Sequence, residues 1–313
     1  MEWQWDRCDR DTWRGFLDLA GTAPLPQSWE YGAAMQTLGA RVRRAVLRAD
    51  GQMLAVAQVL QRPGLRQISR GPVWLPQLDA ALQRRALRGL ARFAGVLVAT
   101  PEDPVPGFGL APLRAPRSHA LWSLDADEAG LLAGLQGKWR NRFRRAQAPG
   151  VSASPVPLMQ IVAAEGWQRR ERGYRGLPAS FIVAWPGEKL IVHWSDADGL
   201  QAGMVFLRHG CWASYHIGWA SDAGRAAFAH GPMLWQAALL LRQQGVRMLD
   251  LGDVDSDAAP GLARFKLGTG ARRHQLGAPT WVLPDTGLGL RRWVRQDGGA
   301  TGRQPWQGYP PRR

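Results

Sequence analysis

One lysine stands out among the side chains able to do chemistry. The chain has 40 Lys and Arg residues, yet only three are lysine: Lys138, Lys189 and Lys266. Lys266 lies in the run Gly261-Leu262-Ala263-Arg264-Phe265-Lys266-Leu267-Gly268, shortly after a β-rich stretch, Val246 to Leu251, that leads into Asp253 and Asp255. A carboxylate just beyond a strand end can accept a proton; the alternative is that both acids solvate a loop. Glu102 and Asp103 follow an equivalent stretch, Val96 to Thr100, and are candidates to bind a substrate.

A second set is the basic run Lys138, Arg140, Arg142, Arg144 and Arg145. Guanidinium forks match phosphate oxygens, so the run suits the phosphates of a polyanionic partner. At helical spacing these residues cover several faces, and the alternative is a solvated helix with Trp139 and Phe143 as its buried pair. The histidines show no metal-ligand spacing, and Cys8 and Cys211 form neither a CxxC nor a Cys/His cluster. No metal site, disulfide framework or resident cofactor is expected. His193 and Asp198 have an acyltransferase-like His-x4-Asp spacing, but Asp198 belongs to a hairpin turn and the match is a coincidence.

The 313 residues carry 40 basic and 25 acidic groups, a net charge of +15. A genome that writes Arg for Lys explains the arginines but not the sign, which favours polyanionic partners: nucleic acid, anionic lipid or a phosphorylated substrate. With 45% hydrophobic residues the chain can bury a core. No window reaches the roughly 18 to 20 apolar residues of a membrane span; the best, Ala226 to Leu241, is interrupted by His230, Gly231 and Pro232. The charged first twenty residues do not form a secretory signal, and the expected compartment is the cytoplasm.

The elements that must position these groups occur twice. Strands over Arg41 to Ala49 and Gln52 to Gln61 flank the Asp50-Gly51 turn, with a third from Leu65 to Arg70 after Pro63-Gly64. Gly71-Pro72, a helix over Leu78 to Ala94 and the strand Val96 to Thr100 follow. The second half repeats the order: Lys189 to Trp194, Asp198-Gly199, Gln201 to Arg208, His209-Gly210, Trp212 to Gly218, Gly231-Pro232, a helix over Met233 to Gln244, and Val246 to Leu251. Asp-Gly between β-rich runs is a strong hairpin signal because both central residues want positive φ. The offset of about 150 to 160 residues is that of a duplicated domain rather than a solenoid. Leading helices are expected over Asp11 to Ala20, Trp29 to Leu38 and Glu128 to Ala146.

A meander followed by a helix and a strand, with a helix ahead, resembles the GNAT acyltransferase fold. The expected class is α/β (α+β), two tandem GNAT-like domains, each a mostly antiparallel sheet flanked by helices. The boundaries are 1–120 and 121–283. Residues 284–313 form a basic, Gly/Pro-rich tail, a candidate to pack back on the first domain, with a short helix around Leu288 to Val294.

Further segments extend the resemblance. Gln27-Ser28-Trp29-Glu30-Tyr31-Gly32 precedes the first meander and Gly71-Pro72 ends it. The basic helix ends in Ala146 and is followed by Gly150-Val151, and Asp250, Gly252, Gly261, Leu262, Phe265 and Lys266 close the series. In this order they resemble the Fem-type aminoacyltransferases of peptidoglycan side-chain synthesis, from about residue 20 to 283. That resemblance implies transfer of an aminoacyl group from aminoacyl-tRNA to an amine, such as that of a peptidoglycan precursor, without a cofactor. It implies a catalytic role for Lys266 beside the tetrahedral oxyanion; Asp253 and Asp255, by their place just beyond the strand end, are the candidate bases. Phe265, Arg264, Lys138, Arg140, Arg142, Arg145, Glu102, Asp103 and Tyr215 are the candidate substrate-binding residues. The helix after Gln-Ser departs from the family, with Ala33, Ala34 and Met35 where a lysine is common. Arg225-Ala226-Ala227-Phe228-Ala229 lacks the pyrophosphate motif of acetyl-CoA enzymes. Two rivals remain: an acyl-CoA-dependent N-acyltransferase, and a non-catalytic protein binding RNA or an anionic membrane surface.

Overall fold

The computed structural model describes residues 1–285 apart from positions 147, 149, 175 and 256–259. The tail beyond 285, with its expected short helix, lies outside the described residues.

The first unit runs β1 (Glu2–Trp5), α1 (Arg10–Ala20), α2 (Trp29–Thr37), β2 (Arg41–Ala49), β3 (Gln52–Arg62), β4 (Leu65–Ser69), β5 (Val73–Trp74), α3 (Ala80–Leu90), β6 (Val96–Thr100) and β7 (Leu110–Pro112). The second continues with β8 (Ser118–Ser123), α4 (Glu128–Gly134), α5 (Gly137–Arg144), β9 (Ser152–Ala153), α6 (Leu158–Arg172), α7 (Ala179–Ala184), β10 (Lys189–Asp196), β11 (Gly199–His209) and β12 (Trp212–Ala220). It closes with α8 (Asp222–Ala226), α9 (His230–Gln243), β13 (Met248–Asp253), α10 (Pro260–Leu267), β14 (Arg272–Gln275) and β15 (Thr280–Val282).

The duplication is visible in the strand pairings. β2, β3 and β4 pair antiparallel in sequence order, and β6 then returns parallel to β4 after the helix α3. β10, β11, β12 and β13 repeat that pattern around α8 and α9. Each sheet then admits a strand from outside its own meander: β15 lies antiparallel beside β6, and β8 beside β13. Position 120 therefore falls within a strand of the second sheet, and the chain returns to the first sheet at Thr280. The fold is thus two mostly antiparallel sheets flanked by helices.

Local chemistry explains the elements. Asp50 and Gly51 have φ of 48° and 80°, as the hairpin turn requires. In α1, Trp13, Phe16, Leu17 and Ala20 form one buried helical face. Asp9 accepts from Thr12 N at its start, and Gly21 at φ 67° ends it. Arg66, buried beneath α3, donates to Leu90 O at 2.5 Å and Phe93 O at 2.6 Å, closing that helix's carbonyl end.

Two expectations change. The sequence predicts one helix over Glu128 to Ala146, but the chain breaks it at Leu135, where ψ is 133°. Gly134 and Gly137 leave a helix at low cost, and the Gln136 N–H donates instead to Gly268 O at 2.9 Å. Gly231-Pro232 does not precede the second crossover helix. It lies in the first turn of α9, where the missing N–H has no intrahelical acceptor to lose.

The units share core. Trp13, Phe16 and Leu17 pack with Val46 and Val56 of the first sheet and Leu121 and Trp212 of the second. Tyr31 and Ala34 of α2 pack with Phe181, Ile182 and Ile217. Gln27 ties the first unit internally. Its Oε1 accepts from Gln58 N at 2.8 Å and its Nε2 donates to Ser69 O at 2.8 Å, so one amide side chain bridges β3 and β4. A Cβ on Gly71 would stand 2.6 Å from Gln27 Cδ, which gives the Gln27 and Gly71-Pro72 segments a common packing reason.

Candidate functional site: a buried charge network between the sheets

Arg70 follows β4 with φ 51°, and this left-handed turn aims its side chain at the second sheet. Its guanidinium grips Glu102, Nε to Oε2 at 2.8 Å and Nη2 to Oε1 at 2.7 Å. Nη1 also donates to Asp250 Oδ2 of β13. His119 Nδ1 on β8 lies 3.1 Å from Asp250 Oδ1, and His274 Nε2 on β14 lies 3.3 Å from Glu102 Oε1. The two histidines are direct cross-strand partners. Arg70, Glu102 and Asp250 are 6%, 5% and 3% exposed, so the ends of both sheets meet through a dry ion cluster.

Burial works against every charge in this cluster, and the pairing prevails. Against desolvation, Asp250 and Glu102 hold the Arg70 pKa above the ordinary arginine value. Burial would raise the Asp250 carboxyl, but Arg70 and His119 hold it well below the usual range. Glu102 is lowered in the same way by Arg70 and His274, and His274 is raised by its hydrogen bond to Glu102.

Lys266 adjoins this cluster. It is 6% exposed on α10, and its Nζ donates to Asp253 O at 2.9 Å. Burial lowers its pKa, with Asp250 and Asp253 opposing. Gly252 has φ 82°, and a Cβ there would lie 3.4 Å from Nζ, so the Asp250-Leu251-Gly252 turn leaves room for the ammonium. Among the described residues, one of its three N–H donors has an acceptor.

The other expected site residues fall into three groups. Asp253 and Asp255 flank the same turn, but each is engaged: Asp253 with Arg117, and Asp255 with Arg273 Nη1 at 2.5 Å and with the Ser118 N–H. Glu102 is inside the network, whereas Asp103 is 77% exposed with His274 Nε2 at 3.8 Å.

The basic helix and the lysine helix meet through aromatic rings. Phe265 stacks on Trp139 at 6.1 Å and 27°, and Trp139 stacks on Phe143 at 5.8 Å and 23°. Trp139 and Phe143 are thus the inward pair, while Lys138, Arg142 and Arg145 face out and Arg140 is half-buried. None of these four has an ion pair among the described residues. Arg264 is exposed and donates to Pro260 O at 3.3 Å.

Tyr215 stands on β12, packed on Phe206 at 5.5 Å. A Cβ on Gly218 would overlap its hydroxyl, and burial pushes that hydroxyl's pKa above the usual tyrosine range. The β12 ladder bulges at His216, and its pairing with β13 ends at Ser214 and Asp250, so the strands part beyond that point.

Arg70, Asp250, His119 and His274 are network members that the sequence reading did not select as site residues. Histidine spacing speaks only to metal binding, whereas these two side chains hydrogen-bond buried carboxylates, His119 to Asp250 and His274 to Glu102. The signal for Arg70 was its place between a strand and Gly71-Pro72. No group of three or more His, Cys, Asp or Glu among the described residues is arranged to hold a metal. No described helix is long and apolar enough to cross a membrane.

No protein-family model and no curated protein sequence matches the chain. Solved structures do. The crystal structure of FemX superposes with a TM-score of 0.70 at 16% identity, covering 90% of this chain and 98% of FemX. The C-terminal domain of a putative lysylphosphatidylglycerol synthetase from Agrobacterium fabrum gives 0.52 at 14% identity, covering 87% and 91%. A tandem GNAT protein from the clavulanic acid biosynthesis pathway gives 0.50 at 16% identity, covering 90% and 98%. The chain therefore has the Fem-type, tandem GNAT-like fold.

Proposed function

We propose that the protein is an acyltransferase that moves an aminoacyl group from aminoacyl-tRNA to an amine acceptor, such as one on a peptidoglycan precursor, in the cytoplasm. The observation that carries this reading is Lys266: a scarce ammonium, buried where the two sheets meet, with N–H donors left to give.

In the reaction the acceptor nitrogen attacks the ester carbonyl, a C–N bond forms, and an oxyanion develops. Lys266 donates to that oxygen, a contact worth about 10² to 10³ in rate. The C–O ester bond then breaks, and the proton lost by nitrogen ends on the ribose oxygen of the leaving tRNA. Asp253 or Asp255 relays that proton once an incoming substrate displaces its arginine. The outward cations of α5 hold tRNA phosphates, and Phe265 couples that helix to the lysine. The charge surplus also suits peripheral contact with an anionic membrane that carries the acceptor.

Incubation of the protein with radiolabelled aminoacyl-tRNA and cell-envelope extract tests this directly. Labelled amide product from charged tRNA supports the reading. Product from acyl-CoA alone would assign the CoA-dependent rival, and salt-sensitive RNA binding without transfer from any donor would assign the non-catalytic one.

A further inference from the structure

Away from the charge network, a concavity of about 1090 Å³ opens around the other end of the first sheet, between the β2–β3–β4 strands, the end of α2 and the turn after α3. Leu65 lines it, five residues before Arg70, which is about 17 Å along an extended chain. Four arginines line it, Arg41, Arg43, Arg62 and Arg66, and no carboxylate does. Arg66 is committed to the carbonyls that end α3, and Arg43 to Asp6 while lying 5.1 Å over the Trp5 ring. Arg41 and Arg62 are exposed and have neither ion pair nor side-chain hydrogen bond among the described residues. Met35, Leu38, Leu60, Leu65 and Phe93 supply apolar wall.

Two free guanidinium forks beside apolar wall, with no acid to neutralise them, form a positive field suited to phosphate and a surface suited to hydrocarbon. A nucleobase would need an open aromatic face. Trp5 has Arg43 over its ring and Phe93 edge-on at 5.0 Å, so the larger aromatic is already covered. We propose that this concavity binds an anionic amphiphile of the phospholipid class, the phosphate on Arg41 and Arg62 and the chain along Met35, Leu38 and Leu60. The site lies apart from Lys266, and the proposal does not depend on the acyl-transfer reading.

Calorimetric titration of the full chain at low salt tests it with three probes: lysophosphatidylglycerol below its micelle concentration, lysophosphatidylcholine of the same chain length, and glycerol 3-phosphate. The expected result is binding of the first at least tenfold tighter than either other probe. Arg41→Glu/Arg62→Glu is expected to weaken it at least tenfold with an unchanged melting temperature, since both side chains are exposed. Equal affinity for the zwitterionic lipid, equal affinity for glycerol 3-phosphate, or no binding would each overturn the proposal. So would a double variant that binds lysophosphatidylglycerol as well as wild type.

Discussion

Arg70 and Asp250 are 180 residues apart in sequence and form a buried ion pair joining the ends of the two sheets. Removing one member of a buried pair leaves the other charged and unpaired, which costs about 3–5 kcal/mol. Arg70→Met is therefore expected to lower stability to urea by about that amount. A variant that denatures at the wild-type midpoint would show that the network does not hold the sheets together.

The network sets opposite pH limits. Asp250 and Glu102 have depressed pKa values when folded, so their stabilisation is complete above the unfolded carboxyl values of about 3.9 and 4.3 and is lost as pH falls through the folded values. His274 is raised, so its contribution is complete below about 6.5 and is lost as pH rises through its folded value. His209, buried neutral with its pKa pushed down to about 4, adds a loss as pH falls from about 6.5 toward 4. Melting temperatures across pH 2 to 9 are expected to show both limbs. His274→Gln should flatten the alkaline limb and His209→Gln the acid one.

Gln27→Ala would leave Gln58 N and Ser69 O without their shared partner. An unsatisfied buried polar group costs about 1–3 kcal/mol, and two are created here. Chemical denaturation should show a loss in that range for each group. Gln27→Glu, which sets a carboxylate against the Ser69 carbonyl at a fully buried position, should cost at least as much as Ala.

At Gly268 an added Cβ would stand 2.7 Å from Trp139 Cδ1 and 2.9 Å from Arg264 O. Gly268→Ala is expected to cost about 1–3 kcal/mol by overpacking and to shift α10 against α5. Because α10 carries Lys266, kcat should fall more than the melting temperature alone explains. An unchanged kcat in a destabilised variant would separate the aromatic stack from the reaction.

The outward cations of α5 and its C-terminal cap make a salt prediction. If Lys138, Arg142 and Arg145 hold three tRNA phosphates, Lys138→Ala/Arg142→Ala/Arg145→Ala should reduce the slope of log K against log salt by about 2 to 3. The fold should remain intact, since none of the three is buried. An unchanged slope would move tRNA elsewhere on the surface.

Local signals carried the meanders. Asp50-Gly51 demands positive φ whatever surrounds it, and β-rich runs stand on either side, so that hairpin was legible. The bridging strands were not. β8 and β15 are short and pair with partners far away in sequence, and no local period marks them. α6 has no capping side chain to mark its start. Lys266 was legible because lysine is rare here. Arg70 was hidden among 37 arginines, and its distinction is a long-range partner, Asp250, that sequence spacing does not reveal.

Single-turnover transfer from radiolabelled aminoacyl-tRNA by Lys266→Ala, with its melting temperature recorded alongside, tests the central claim most directly. The expected result is a folded protein with transfer reduced by about 10² to 10³. Wild-type transfer in that variant would contradict the role assigned to the buried ammonium.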